Sequence, residues 1–289
     1  MSKKRPGYEA AKRLSETINT TNDDKDDDET DSKILQLWTD IEAKLPDVLS
    51  SITDLSDLTS SRQQIIDNLV DAAKNKNEEL SLSKEELFTV VKWKFAVGKT
   101  RNALWPHFKS NTEKNVRAAT KVALGNAHAN IADDEAIKQA VTDLTKRLAG
   151  VGPATASAIL SMISPCSYCY MYDEVIDCFS SKRTYSLKEY LAVNEGCANI
   201  ALSLSRKQLK KDLKERIKCP RAWTSFRVSQ TLWVAARICA AGGDLGDDLT
   251  LKAAAQSNKS KKRESAHYDE PAPATSSKRQ RKSGRRKRS

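Results

Sequence analysis

Apolar residues recur at helical spacing along most of the chain, broken by Gly, Pro and Asp. The first run is Ile34, Leu35, Leu37, Trp38 and Ile41, which predicts a helix ending before Pro46. Ile65, Ile66, Leu69 and Val70 predict a second over about 62–75. Ser83-Lys-Glu-Glu86 has the form of a capping box, opening a helix with Leu87, Val90 and Val91 on its face. Val116, Ala119 and Ala123 predict a helix over about 112–124, stopped by Gly125. Asp133 or Asp134 can cap the next, whose stripe is Ile137, Val141, Leu144 and Leu148. Gly150 and Gly152 end that pattern, and Pro153 suits the first turn of a new helix over about 153–163. That helix reads as small on its exposed side (Ala154, Ala156, Ser157) and apolar through Ile159, Leu160 and Ile163. Ser186-Leu-Lys-Glu189 is a second capping box, and 206–217 reads as a separate charged amphipathic helix. Pro220 opens the last long helix, with Trp223, Phe226, Leu232, Trp233 and Ala236 as its packing stripe and Gly242-Gly243 as its end. No run alternates long enough for a sheet, so the expected class is all-α.

Charge changes the picture at the ends. The net charge is +11, but 259–289 carries +9 and 1–32 carries −3, leaving +5 for 33–258. Asp23-Asp-Lys-Asp-Asp-Asp-Glu-Thr-Asp31 has too little apolar surface to offset the cost of ordering. We therefore expect a disordered acidic segment over 1–32, a helical domain over 33–245 and a disordered basic tail over 246–289. The tail clusters, Lys261-Lys-Arg263 and Lys278-Arg-Gln-Arg-Lys282 with Arg285-Arg-Lys-Arg288, have the form of a bipartite nuclear localisation signal, or of a nonspecific polycation. No apolar run suggests a signal peptide or a membrane span. Six scattered cysteines form no secreted-type framework, which points to a reducing compartment. Cys166-x-x-Cys169 could be half of a zinc site, but no second pair is near and none of the three histidines helps, so no metal or cofactor is expected.

The Gly-Val-Gly turn is where chemistry enters. Two helices joined there point free N–H groups outward at a helix N-terminus, a site that favours phosphate. Lys146 and Arg147 lie just upstream. The stretch Leu148-Ala-Gly-Val-Gly-Pro-Ala-Thr-Ala156 resembles the helix-hairpin-helix motif, here within 135–163. That resemblance implies double-stranded DNA as partner, held by its backbone without base reading, with Gly150, Val151, Gly152 and Thr155 at the phosphates. The alternative is a tight helix–helix turn with no ligand. Upstream, Lys92-Trp-Lys-Phe-Ala-Val-Gly-Lys-Thr-Arg101 interleaves cations with aromatics. Lys94, Lys99 and Arg101 could line a nucleic-acid groove, or Trp93 and Phe95 could be core and the charges a solvated face.

Asp173 follows the turn at about the distance at which the helix-hairpin-helix DNA glycosylase superfamily places its catalytic aspartate. The resemblance implies a carboxylate that stabilises a cationic sugar or activates water on a flipped-out nucleotide. The plainer reading is an N-cap for the next helix. Bifunctional members carry a lysine two residues after the second glycine, where Ala154 stands, so a lyase step at that position is not implied. Tyr172 and Glu174 also depart from the usual neighbours of the aspartate. The spacing of Cys197, Cys219 and Cys239 does not suit the iron–sulfur group of some members. Trp93-Lys94, Gly98-Lys-x-Arg101 and the turn together are similar to a group of eukaryotic nuclear proteins of unassigned activity, over roughly 83–240. The expectation is a monomeric nuclear protein resembling a monofunctional glycosylase of base excision repair. The alternatives are an inactive DNA-binding module of the same fold and a chromatin scaffold acting through its tails.

Overall fold

The structure is a computed structural model describing residues 7–20, 28–75, 79–129, 133–215, 222–243 and 245. The basic tail, its import signal, Cys219, Pro220 and the acidic block at 23–27 lie outside these residues. Among the described residues there is no strand, and the all-α expectation holds.

The helices are α1 (Tyr8–Glu16), α2 (Asp28–Ala43), α3 (Leu45–Ser50), α4 (Leu55–Lys74), α5 (Lys84–Val97), α6 (Trp105–Ser110), α7 (Glu113–Ala129), α8 (Asp134–Arg147), α9 (Pro153–Leu160), α10 (Asp173–Phe179), α11 (Leu187–Glu215) and α12 (Ser225–Ala240). One-turn 3₁₀ segments cover Thr17–Thr20 and Asn102–Leu104. The capping box at α5 forms as read: Ser83 accepts from the Glu86 N–H while Glu86 accepts from the Ser83 N–H. Asp133 caps α8 by accepting from the Glu135 N–H. Gly242, at φ 83°, and Gly243 close α12, the latter donating to the Ile238 carbonyl.

Four expectations need correction. Residues 1–32 are not uniformly without structure, because α1 folds into the core. Ala10, Ala11, Leu14 and Ile18 recur at helical spacing and are buried. The apolar pattern of Tyr8–Ile18 is local and decides its fate, whereas the acidic composition belongs to the block that follows. Gly7, at φ 95°, seats α1 against α12; a Cβ there would collide with the Ala236 carbonyl. Gly125 does not stop α7, which continues to Ala129 with Ala127 buried. A mid-helix glycine costs only about 1 kcal/mol, which packing of one more turn offsets. The helices read at 186 and 206–217 are a single α11, whose buried stripe Tyr190, Val193, Cys197, Ile200, Ala201 and Leu204 runs through the supposed gap. The small side of α9 is not exposed: Ala156 and Ser157 are fully buried. Their size lets α5, α7 and α11 approach α9, which lies at the centre of the bundle.

One core runs through the body and includes α1. Its aromatic heart sets the site. Tyr170 packs 4.2 Å from Tyr172 and 5.0 Å from Trp93, and Tyr172 stacks on Trp233 at 5.3 Å. Arg62 is buried among them, 4.5 Å over Trp93 and 5.0 Å over Phe226, and donates to the Ser161 hydroxyl. Burial pushes its guanidinium down to about 10, so it stays charged at neutral pH, held by ring faces.

Candidate functional site

The turn between α8 and α9 is shaped by two glycines with different jobs. Gly150 has φ 81°, a left-handed conformation that other residues adopt at a cost, and a Cβ there would press on His107 and Phe108 at 3.2–3.3 Å. Gly152 is extended, with φ −102° and ψ −179°, and a Cβ there would meet nothing within 4 Å. Its missing side chain leaves open space over the start of α9. Asn111 clamps the turn from outside: its amide donates to the Ala149 carbonyl at 2.9 Å and its carbonyl accepts from the Ala149 N–H at 2.9 Å. Among the described residues the N–H groups of Gly150, Gly152 and Ala154 have no acceptor. Unpaired donors at a helix start attract anions.

The segment 164–172 carries the chain from the end of α9 to Asp173 and, apart from Pro165 and the exposed Cys166, is buried although it has no regular structure. Side chains satisfy its backbone, as a buried irregular segment requires. The Cys169, Tyr170 and Met171 N–H groups donate to Asn194, Ser229 and Ser157 at 2.8, 3.2 and 3.1 Å. Asn194 in turn donates to the Ser167 carbonyl at 2.8 Å. This lattice fixes Asp173 at the first position of α10.

Asp173 does not cap α10; Tyr172 is the cap residue, and no side chain fills the role. Both carboxylate oxygens turn to the loop before α11. Oδ1 accepts from the Tyr185 hydroxyl at 2.8 Å, and Oδ2 accepts from Arg183 Nη1 at 3.0 Å. Arg183 also pairs with Asp177, one turn along α10. Tyr185 is held at φ 52°, in the left-handed region, where non-glycine residues need a compensating restraint. Glu189 supplies it, accepting from the Thr184 N–H at 2.9 Å and the Tyr185 N–H at 2.6 Å. The second capping box is thus half formed. Ser186 accepts from the Glu189 N–H at 3.2 Å, but the Glu189 carboxylate reaches further back to brace the loop. Beside Asp173, Glu174 is raised from its usual value, chiefly by burial, with Arg237 pulling the other way 3.6 Å from Oε1. Arg237 also donates to the Val97 carbonyl at 2.6 Å, tying the end of α5 to α12.

These pieces meet in a cavity of about 380 Å³. Its lining joins Gly150, Gly152 and Thr155 of the turn region, Lys94, Lys99 and Arg101 from the end of α5, Tyr170 and Tyr172 from the buried segment, and Asp173 with Tyr185. Seven of the ten residues singled out in the sequence therefore share one hollow. Val151, Lys146 and Arg147 do not line it: Val151 is buried, while the two cations lie exposed on α8, with Arg147 3.5 Å from Asp143. The Trp93 stretch splits as its alternatives did. Trp93 and Phe95 are core, whereas Lys99 and Arg101 are exposed and Lys94 is half-buried. Arg101 stacks over Tyr185 at 4.8 Å.

Tyr185, Arg183 and Asp177 escaped the sequence reading. The one signal available was the Ser186 capping box, which announces that the residues before it lie at a helix entrance. Among the described residues no three His, Cys, Asp or Glu side chains are grouped to hold a metal ion. No described helix is long and apolar enough to cross a membrane. No protein-family model, curated protein or solved structure matches the chain, so its functional reading stands on this geometry.

Proposed function

We propose that the chain binds duplex DNA by its backbone at the Gly150–Gly152 turn and acts on a nucleotide rotated into the adjoining cavity, as a monofunctional DNA N-glycosylase. On this reading α8, the turn and α9 are the helix-hairpin-helix of that superfamily. One observation carries the proposal: the glycines with unpaired N–H groups and the Asp173 carboxylate line the same hollow. The cavity falls within the roughly 300–1,000 Å³ of sites that enclose small organic groups. Phosphates would lie at the Gly152 N–H and near Lys99 and Arg101 on the exposed side. The sugar would then face Asp173, whose charge stabilises the cation formed as the base leaves. Arg183 and Tyr185 fix that carboxylate in direction, and Tyr185 offers a ring face at the mouth. Import by the basic tail would bring the protein to nuclear DNA.

A second reading has its own observation. Both oxygens of Asp173 are already hydrogen-bonded, as expected of a structural carboxylate in a module that binds DNA and does no chemistry. A panel of duplexes containing alkylated, deaminated and oxidised bases separates the two. Alkali-sensitive abasic sites after incubation support the glycosylase, while tight binding with no base released from any duplex favours the module.

A further inference from the structure

The inner face of α11 packs on the core, yet its outer face carries a second apolar stripe. Tyr190, Val193, Cys197, Ile200, Ala201 and Leu204 are buried, whereas Leu202, Leu209 and Leu213 are 52, 51 and 71% exposed. The other exposed large apolar side chains among the described residues, Val70 and Val122, stand singly on α4 and α7. Single exposed apolar residues are ordinary. The three leucines are not single: with Arg206 they fall at i, i+4, i+7 and i+11, one face of a helix. At 1.5 Å per residue the stripe is about 16 Å long.

Its charge is one-sided. Arg206 is exposed within the stripe and, among the described residues, makes no hydrogen bond or ion pair. Lys210 borders it, 3.8 Å from Asp31 of α2. Over 202–215 the chain has five Lys or Arg against two acids, and one of those, Asp212, is buried. The nearest described exposed acid on α11 is Glu195, two turns before Leu202. None of these residues lines the cavity beside Asp173.

We infer that this face docks the amphipathic helix of a protein partner, one whose leucine or isoleucine stripe is flanked by glutamate or aspartate. Such a helix covers the leucines and brings a carboxylate to Arg206. The other occupants fit less well. A nucleic-acid backbone offers phosphate but no apolar surface for three leucines. A second copy of the chain would add its own excess of cations to the same contact. A helix lying on a membrane presents a broad apolar face, whereas this stripe is narrow and interrupted by an arginine. Three leucines and an arginine make a small surface, so the contact is a transient one. It shares no residue with the cavity, so docking here and DNA binding there stand or fall separately.

The test is selection of displayed helical peptides on the full-length protein. Every peptide keeps leucine at i, i+4, i+7 and i+11, while the flanking positions vary among Glu, Gln and Lys. The parent should enrich glutamate at the flanks. Selected peptides should bind Leu209→Ala/Leu213→Ala at least about tenfold more weakly in fluorescence anisotropy. Arg206→Glu should shift the selected flanks from glutamate toward lysine, which a purely structural role would not do. All three positions are exposed, and circular dichroism checks that the variants keep their helices. The basic tail is the same in each protein, so its own pull on acidic peptides cancels in the comparison. Flanks without glutamate, a preference unchanged by Arg206→Glu, or equal binding by the double variant overturns the inference. So does uptake of phosphatidylserine vesicles that depends on Leu209 and Leu213 while no peptide is enriched, which assigns the face to a membrane. A parent dimer in light scattering that the double variant dissolves assigns it to a second copy and overturns the inference as well.

Discussion

An acidic residue at the first position of a helix ordinarily leans on the helix N–H groups. Asp173 instead turns both oxygens to Arg183 and Tyr185. Asp173→Asn keeps the shape and one acceptor for Tyr185 but removes the charge. If base release depends on that charge, it should fall by roughly 10²-fold or more, with DNA affinity unchanged or slightly higher. The lost pair with Arg183 should cost about 1–2 kcal/mol, because both side chains are only partly exposed and Arg183 retains Asp177. Single-turnover assays beside thermal denaturation check both; a variant that releases base at the parent's rate sinks the role of Asp173. That Asp173 stands in a hollow with the turn was legible, because its offset from the Gly-x-Gly pair survives folding. Its partners were not. Arg183 and Tyr185 sit in a short loop without periodicity, and a left-handed tyrosine leaves no trace in composition.

At the level of the element, the turn separates conformation from recognition. Gly152→Asp adds a side chain into open space at an extended residue, so the fold should be nearly unaffected. Duplex affinity of a chain shortened to residue 245 should weaken by about 1–3 kcal/mol, as charge-assisted contacts are lost. Gly150→Ala should do the reverse, destabilising the fold by about 1–2 kcal/mol through its left-handed φ while leaving charge at the turn unchanged. Fluorescence anisotropy and melting curves on the pair check this; unchanged affinity in a folded Gly152→Asp protein would reduce the turn to a connector. The turn could be read because Gly and Pro act locally. Helix α1 could not, since nine residues beside an acidic block carry little weight until α12 and α10 supply a surface. Leu14, 1% exposed, tests that packing: Leu14→Ala should cost about 2–5 kcal/mol in chemical denaturation. The single course of α11 was hidden because Gly196 interrupts the pattern while Phe179 fills the space over it.

Across the whole molecule, charge and structure are divided. The tail over 259–289 holds +9 of the net +11, so deleting it should flatten the dependence of DNA binding on salt, by up to about twelve counterions' worth. The same deletion should disperse the protein from nuclei; a shortened chain that still concentrates there refutes the import reading. What remains would bind through the cavity rim and the turn, with much less electrostatic reach. The close seat of Gly7 against Ala236 has a consequence of another kind. It places the entry to the first helix beside the last one, so the folded body is a closed circuit with a single seam. Its helices owe their places to their faces and not to their order along the backbone. A chain spliced across that seam and reopened at the exposed Thr53–Asp54 bend would therefore be the same object, entered through a different door.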